Sequence, residues 1–324
     1  MSSVGYASVQ RLVRLLATVG AALVLVVIVS SAYLRLSQAG LSCADWPACY
    51  GRIAGAADAT TAQRGARLAH RFAATAVGAV LLALLAVSAT QRPRHRRQAA
   101  IAGAGLAVTA ALAIIGAVSS EAAVAVPRPA VTLANLGGGF TLLALLWWLR
   151  ETTLETGRAP AADTTRSPWF PMLATFTLLS VIAQIALGAL VSAKFAALAC
   201  PAFPLCGADA PPGTLLEALD PFTALTVNTS ATVVRPAALP SLHWAHRVGA
   251  HVVLVLAAVL AVLLVRDRAL KPWGVALAGL VVVQLALGAA SVLTSLPLAL
   301  VLAHNLVAAL LLGALTTINH RLCA

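Results

Sequence analysis

Eight apolar segments alternate with polar connections along the chain, and each apolar segment is about 20 residues long. An α-helix rises about 1.5 Å per residue, so about 20 apolar residues cross roughly 30 Å of hydrocarbon. The apolar run after Arg14 is long enough to span, so we interpret it as the first helix rather than as a cleaved signal sequence. The pattern therefore predicts eight transmembrane helices, at about residues 12–33, 65–89, 99–118, 130–149, 169–193, 241–265, 273–293 and 298–318.

Basic residues are distributed unevenly between the two sides of this predicted membrane protein. Eight spans place both termini on one side, which carries more than half of the 22 Lys and Arg residues although its connections are shorter. The positive-inside rule makes that side, and so both termini, cytoplasmic. The longer connections, about residues 35–64 and 194–240, then face outward. We expect a multi-pass protein of the bacterial inner (plasma) membrane.

The composition agrees with this interpretation and excludes a soluble domain. The chain is 60% hydrophobic and 10% charged, with a mean hydropathy of +0.93. A net charge of +12 would suggest a nucleic-acid ligand in a soluble protein, but here it follows from the basic connections between spans. We therefore expect no nucleic-acid partner.

The chain contains an internal repeat, in which a Cys-x5-Cys loop precedes an Ala-His-Arg sequence at the start of an apolar span. Two further spans follow each copy, so the pattern predicts a four-span unit duplicated in tandem. An even number of spans makes the copies parallel, related by an axis along the membrane normal. The copies are Cys43–Cys49 with Ala69-His70-Arg71, and Cys200–Cys206 with Ala245-His246-Arg247.

The predicted fold is therefore all-α and integral to the membrane. It consists of two tandem four-helix bundles related by pseudo-two-fold symmetry, with cytoplasmic N- and C-termini. The N-terminal bundle covers residues 1–155 and the C-terminal bundle residues 169–324, joined by a cytoplasmic linker at residues 156–168.

The four loop cysteines are predicted to form two disulfides, Cys43–Cys49 and Cys200–Cys206, because both loops face an oxidising compartment. Spacing alone does not establish that geometry. Metal binding is the weaker alternative, since neither loop contains a histidine. A redox role for Cys43–Cys49 is the other alternative. Cys323 is expected to be a free cytoplasmic thiol.

Two histidines lie at matched depth in spans that run in the same direction. His246 is about six residues into the sixth span and His304 about seven residues into the eighth, so both lie roughly 10 Å below the outer boundary. Ionisable groups in a bilayer are costly and mark functional sites. Two imidazoles facing each other in a helix bundle suit axial ligation of a heme iron. The alternative is two unrelated histidines, each bonded to a backbone carbonyl.

Other basic side chains surround this predicted site. Arg247 can pair with a heme propionate or extend to the lipid headgroups. His243 lies one turn before His246, and we expect it to contact a propionate or to support the ligand. His251 is expected to point away as a core or inter-helix residue. His95 and His320 are expected to be solvated on the cytoplasmic side.

The first half repeats this layout with one ligand changed. His70 is about six residues into the second span, and Asn135 occupies the position that matches His304. Asn is not a usual heme ligand, and the three glycines 137–139 allow a planar ligand to approach the backbone. The first half therefore predicts a heme-shaped pocket with an open coordination position.

At these residues the chain resembles the heme A synthase family over nearly its whole length. The resemblance implies eight spans in two four-helix bundles, with heme b in the C-terminal bundle as an electron-transfer cofactor. It implies heme o as the substrate in the N-terminal bundle, where the C8 methyl is oxidised to the formyl of heme a with oxygen from water. The motifs that carry it are Gly-Leu-Ser-Cys43-x-Asp45-Trp46-Pro47-x-Cys49, His70-Arg71, Leu-Ala-Cys200-Pro-x-Phe-Pro-Leu-Cys206, His246-Arg247 and His304.

The resemblance implies a role for each motif residue. His246 and His304 would ligate heme b, with Arg247 and His243 beside it. His70 would act at the substrate iron, and Arg71 and Asn135 would contact the substrate heme. The implied partners are a heme O synthase, terminal oxidase assembly proteins and a membrane electron acceptor, and a homo-oligomer is compatible with the pattern.

Two departures bear on activity. The family usually has a catalytic Glu three residues before the first histidine, where this chain has Arg67, and Arg cannot act as a base. The family often has a second histidine where Asn135 stands. Asp45 is our candidate for the missing carboxylate, with Glu121 in the next outer loop as the other choice.

Three other functions compete with a heme A synthase. A non-catalytic heme carrier or assembly factor on this scaffold would explain Arg67 and Asn135. A diheme cytochrome b would need two bis-histidine sites, which Asn135 opposes. A solute transporter would bind no heme and would have discontinuous helices in the membrane.

Overall fold

The computed structural model describes residues 3–38, 60–90, 95–120, 128–154, 169–200, 206, 215–229, 232–234 and 236–323. Within these ranges the chain forms nine α-helices, and Val227 and Val233 form an isolated antiparallel bridge. The helices are α1 (Ser3–Gln38), α2 (Thr61–Thr90), α3 (Arg96–Ser120), α4 (Pro129–Thr152), α5 (Trp169–Ala193), α6 (Leu215–Leu219), α7 (Leu239–Arg266), α8 (Lys271–Leu293) and α9 (Leu298–Cys323).

Eight of these helices, all except the short α6, are long and apolar enough to cross a membrane, among the residues described. Each coincides with one predicted span, so the predicted all-helical, multi-pass fold is confirmed. The helices extend past the predicted ends, most of all α1, because backbone hydrogen bonding continues beyond the hydrocarbon layer.

The eight long helices make two closed rings of contacts. In the first half α1 contacts α2 and α4, and α3 completes the ring between them. In the second half α5 contacts α7 and α9, and α8 completes the ring. Within each ring, α2 lies diagonally opposite α4 and α7 lies diagonally opposite α9. This arrangement faces the predicted histidine helices toward each other.

Each ring has its own apolar core. The first includes Val77, Leu84 and Leu143, and the second includes Leu260, Leu277 and Leu315. Helix α9 also packs against α1 and α4, and α4 packs against α5, so the two groups share an interface. The division into residues 1–155 and 169–324 stays a prediction, and most of the linker lies outside the described residues.

Polar side chains join the helices at the end opposite the predicted outer loops. Trp147 Nε1 donates to Thr317 Oγ1 at 2.7 Å, which links α4 to α9. The Trp148 ring meets the His320 ring edge-on, with centroids 5.0 Å apart. His95 and His320 are only 2% and 3% exposed, so the expectation that they are solvated is wrong. They are buried because α1, α3, α4 and α9 converge there, and the Gln98 side chain bonds to His95.

The connection between α5 and α7 packs over the end of the second ring. Phe195, Leu225 and Val233 are buried together with Leu36 of α1. Lys194 is buried as well, and its ammonium donates to the Glu217 carbonyl at 3.2 Å. Burial lowers the Lys194 pKa, and the nearby Asp220 and Glu217 charges oppose that shift in part. The connection therefore closes one end of the bundle with both apolar and polar contacts.

Candidate cofactor site

A cavity of about 550 Å³ lies inside the second ring of helices. Residues of α5, α7, α8 and α9 line it, and Leu36, Leu136 and Phe140 extend its wall to α1 and α4. Its volume falls in the range of about 300–1,000 Å³ that is typical of small-molecule and cofactor pockets. The cavity is large, apolar and enclosed by the helices that were predicted to carry a ligand.

His246 and His304 both line this cavity. They project from α7 and α9, the diagonal pair of the ring, and their imidazoles are close enough to interact electrostatically. The structure therefore brings together the two histidines that the sequence pairs by depth. The alternative that they are unrelated does not fit this arrangement.

Each of these histidines contacts a glutamine of a neighbouring helix. Gln184 Nε2 lies 3.0 Å from His246 Nδ1 and donates to the His246 carbonyl at 2.8 Å. Gln284 Nε2 lies 3.1 Å from His304 Nε2, while His304 Nδ1 lies 3.2 Å from the Gln284 carbonyl. Within the described residues, the Oε1 atoms of both glutamines are buried without a hydrogen-bond partner.

A glycine one turn after each glutamine lies against the same imidazole. A Cβ built on Gly188 would be 3.0 Å from His246 Cε1, and one built on Gly288 would be 3.2 Å from His304 Cε1. Both distances are shorter than ordinary van der Waals contact, so a larger residue would push the ring away. The glycines therefore fix how closely each histidine approaches its neighbouring helix.

Arg247 and His243 bind the outer connection in this structure. Arg247 Nη2 donates to the Cys200 carbonyl at 2.6 Å, and Arg247 also lines the cavity. His243 is buried and forms a hydrogen bond with the backbone of Ala196. Both lie at the cavity, as predicted, while their pairing with a propionate stays a prediction.

His251 differs from its expected place in the core. It is exposed, it lines part of the cavity, and its Nδ1 lies 2.7 Å from the Arg247 carbonyl one turn earlier. Its exposure follows from its position on α7, since the buried neighbours Leu242, Val253 and Ala257 occupy another face.

The structure joins Cys200 to Cys206 in a disulfide, and Cys323 is an exposed free thiol. Cys43, Cys49, Asp45 and Glu121 lie outside the described residues. The first predicted disulfide and both candidate carboxylates therefore stay predictions.

The first-half site residues occupy the diagonal helices α2 and α4. His70 is half-buried, Arg71 is exposed, and Asn135 is exposed on α4. Arg67 is half-buried one turn before His70. The second coordination partner predicted to be missing opposite His70 is therefore represented by an exposed amide.

The three glycines of α4 have different surroundings. Among the described residues, nothing lies within 4 Å of a Cβ built on Gly137. At Gly138 such a Cβ would lie 2.6 Å from Leu112 Cδ2, and at Gly139 it would lie 3.4 Å from Ile28. Gly138 and Gly139 therefore allow helix packing, and Gly137 alone leaves space beside the chain.

The residues of the second ring fit a heme. Two imidazoles face one cavity from opposite helices, which is the geometry of axial ligation in a helix bundle. The apolar wall suits the macrocycle, and Arg247 and His243 suit its carboxylates at one end of the cavity. The unpartnered amide oxygens of Gln184 and Gln284 show that the polar groups of this cavity are not fully satisfied within the described chain.

The sequence analysis missed both glutamines. The signal was present, since Val-x-x-Gln-x-Ala-Leu-Gly-Ala occurs at residues 181–189 and again at residues 281–289. The two copies are uncharged, so a search for ionisable groups within spans passes over them.

Comparison with known proteins matches these features to one family. The family model described as cytochrome oxidase assembly protein, COX15-CtaA, matches residues 14–316. A protein of Shewanella oneidensis named heme A synthase is 32% identical over 314 residues, covering 91% of this chain and 92% of its own. One of Alkalihalophilus pseudofirmus with the same name is 29% identical over 59% of this chain and 63% of its own. A protoheme IX farnesyltransferase of Haloarcula marismortui is 29% identical over 44% of this chain and 30% of its own.

Proposed function

Because the chain belongs to the COX15-CtaA family of cytochrome oxidase assembly proteins, we propose that it is a heme A synthase, a membrane oxidoreductase. Its reaction would convert the C8 methyl of heme o to the formyl of heme a for terminal oxidase biogenesis. Water supplies the oxygen, and the electrons released leave through an acceptor in the membrane. The similarity to the Shewanella protein over nearly the full length of both chains supports the proposal.

The observation that carries the proposal is the placement of His246 and His304 on diagonal helices around one cavity. These residues would hold heme b, with Arg247 and His243 near its propionates. A heme held by two imidazoles transfers single electrons, which is the chemistry that a stepwise oxidation requires. The apolar lining keeps water away from the histidines and holds them in fixed positions.

The substrate would bind in the first ring of helices. His70 would contact the heme o iron from α2, and Arg71 and Asn135 would contact the substrate at the same level. Asp45 would accept protons during the oxidation, because Arg67 cannot act as a base. The two sites would face the same side of the membrane if the bundles are related by the proposed pseudo-two-fold axis.

The matching rings of helix contacts support the proposed duplication. The proposed orientation, with both termini in the cytoplasm, rests on the distribution of basic residues. The partners would be a heme O synthase that supplies the substrate and assembly proteins of the terminal oxidase that accept heme a. A homo-oligomer is compatible with these interactions.

One observation favours a non-catalytic heme carrier as the second candidate. The Leu112 side chain fills the space beside Gly138, so the glycine tract of α4 is less open than its sequence suggests. A carrier would need the intact His246–His304 site but no substrate pocket in the first half.

Analysis of pigments separates these functions. The protein is purified from cells that make heme o, and the extracted hemes are separated and quantified. A synthase yields heme a in proportion to the amount of protein, and a Shewanella heme A synthase expressed in the same cells serves as the reference. Heme b with heme o unchanged would refute the synthase and favour the carrier. A preparation without heme would refute both.

A further inference from the structure

Helices α5 and α8 present the same pair of residues to the two cavity histidines. In α5, Gln184 and Gly188 contact His246, and in α8, Gln284 and Gly288 contact His304. Both pairs belong to the repeated sequence Val-x-x-Gln-x-Ala-Leu-Gly-Ala. The repeat is therefore expressed in three dimensions as two equivalent glutamine–histidine contacts.

The equivalence continues to the ends of these helices. The Ala196 amide donates to the Val191 carbonyl at 2.8 Å, and the Leu296 amide donates to the Ser291 carbonyl at 2.6 Å. Phe195 and Ser295 have φ of 59° in both turns, which is the left-handed conformation that ends many helices. Since each turn lies at the same distance from its glutamine, both glutamines are held at the same depth.

The glutamine side chains act toward the histidines as donors. A carboxamide nitrogen has only hydrogens to offer, so the ring nitrogen it contacts must supply a lone pair. Gln284 Nε2 uses the lone pair on His304 Nε2, because His304 Nδ1 lies against the Gln284 carbonyl and serves as its donor. Gln184 Nε2 likewise faces His246 Nδ1 while it donates to the His246 carbonyl.

A lone pair that accepts a hydrogen bond is not available to a metal at the same time. The amide oxygens gain nothing from this arrangement, since both lack a donor within the described residues. The contacts therefore satisfy the imidazoles and not the glutamines.

We propose that Gln184 and Gln284 are amide caps, positioning residues that hold the imidazoles of His246 and His304 in the iron-free protein and compete with iron for them. The proposal rests on the proposed function in one respect, that this histidine pair binds heme iron. Each cap orients a buried imidazole that would otherwise lack a partner, and each must move aside when heme enters. The caps thus lower the cost of an empty site and limit the affinity of a filled one.

The test is the rate at which bound heme leaves. Protein with Gln184→Leu, Gln284→Leu or both is purified with heme b, and apomyoglobin in excess captures the heme that dissociates. A net hydrogen bond contributes about 1 kcal/mol, so loss of each cap is expected to slow heme loss by about fivefold. The low-spin spectrum of the bound heme is expected to be unchanged, because the caps do not contact the iron-bound state.

Two sets of variants guard against trivial explanations. Gln184→Asn and Gln284→Asn keep a polar amide but shorten it by one methylene, so they are expected to slow heme loss in the same direction. Asn305→Leu removes another amide that lines the cavity, one that bonds to the Val301 carbonyl instead of to a histidine, and its rate is expected to match the unmodified protein.

Faster heme loss or a high-spin spectrum in the glutamine variants would overturn the proposal, because the glutamines would then support the ligated histidines. Slower loss in Asn305→Leu as well would also overturn it, since cavity polarity alone would explain the effect. If the unmodified protein binds hemin and only the cap variants behave unexpectedly, the proposed function survives. If the unmodified protein binds no hemin, the proposed function and the caps both fail.

Discussion

Gly249 leaves the space that the Gln184 side chain occupies. A Cβ built at Gly249 would lie 2.2 Å from Gln184 Oε1 and 3.4 Å from its Cδ. The first distance is far inside van der Waals contact, so any larger residue must displace the carboxamide. The position of Gln184 against His246 therefore depends on a glycine one turn after Trp244 on α7.

Gly249→Ala is expected to lower the free energy of unfolding by about 1–3 kcal/mol, through the displaced side chain and its lost hydrogen bonds. Thermal unfolding in detergent measures this change. Gly279→Ala is the matched control, because no described atom lies within 4 Å of a Cβ there, and its stability is expected to be equal or higher.

The same substitution in a Gln184→Ala background is expected to cost little, because the clash is then absent. Equal costs of Gly249→Ala in the two backgrounds would contradict the assigned contact.

The residues that sequence could identify are those whose chemistry is costly in a membrane. His246 and His304 stand out because ionisable side chains in apolar spans need a reason. Gln184 carries no charge, so only the comparison of α5 with α8 reveals it. His95 was misjudged because burial by a distant element, here the packing of α1 and α4 around it, is not encoded in its neighbours along the chain.

At the scale of elements, the eight spans were predictable because the bilayer fixes the length of an apolar helix. The ends were less so, and α1 begins at Ser3 although its apolar run begins near residue 12. The short α6 escaped prediction because five residues form no hydropathy pattern. The left-handed turn at Phe195 was also hidden, since a glycine is the usual signal for that conformation.

At the scale of the whole molecule, the two rings share an interface formed mainly by α9 with α1 and α4. The Trp147–Thr317 hydrogen bond lies in this interface, together with the Trp148–His320 contact. Sequence predicts two bundles but does not predict how they meet, because the contacts join residues about 170 positions apart. The interface places the second-ring cavity against α4, which carries the candidate first-half residues.

The orientation of the molecule is testable through Cys323, an exposed free thiol at the end of α9. If both termini are cytoplasmic, a membrane-impermeant maleimide will label Cys323 in inverted vesicles and not in intact spheroplasts. A Cys323→Ser chain with Phe222→Cys provides the matched control, because Phe222 is 83% exposed in the connection predicted to face outward. Labelling of Cys323 from the outside would contradict the predicted topology.

The most direct test of the account is the visible spectrum of heme bound to purified variants of the two sites. His246→Ala and His304→Ala are each expected to lose the low-spin, bis-histidine b-type spectrum, because each removes one of its two axial ligands. His70→Ala is expected to keep that spectrum, since His70 lies on α2 in the other ring. The same loss in all three variants, or its retention in His246→Ala and His304→Ala, would contradict the assignment of the cofactor to this pair.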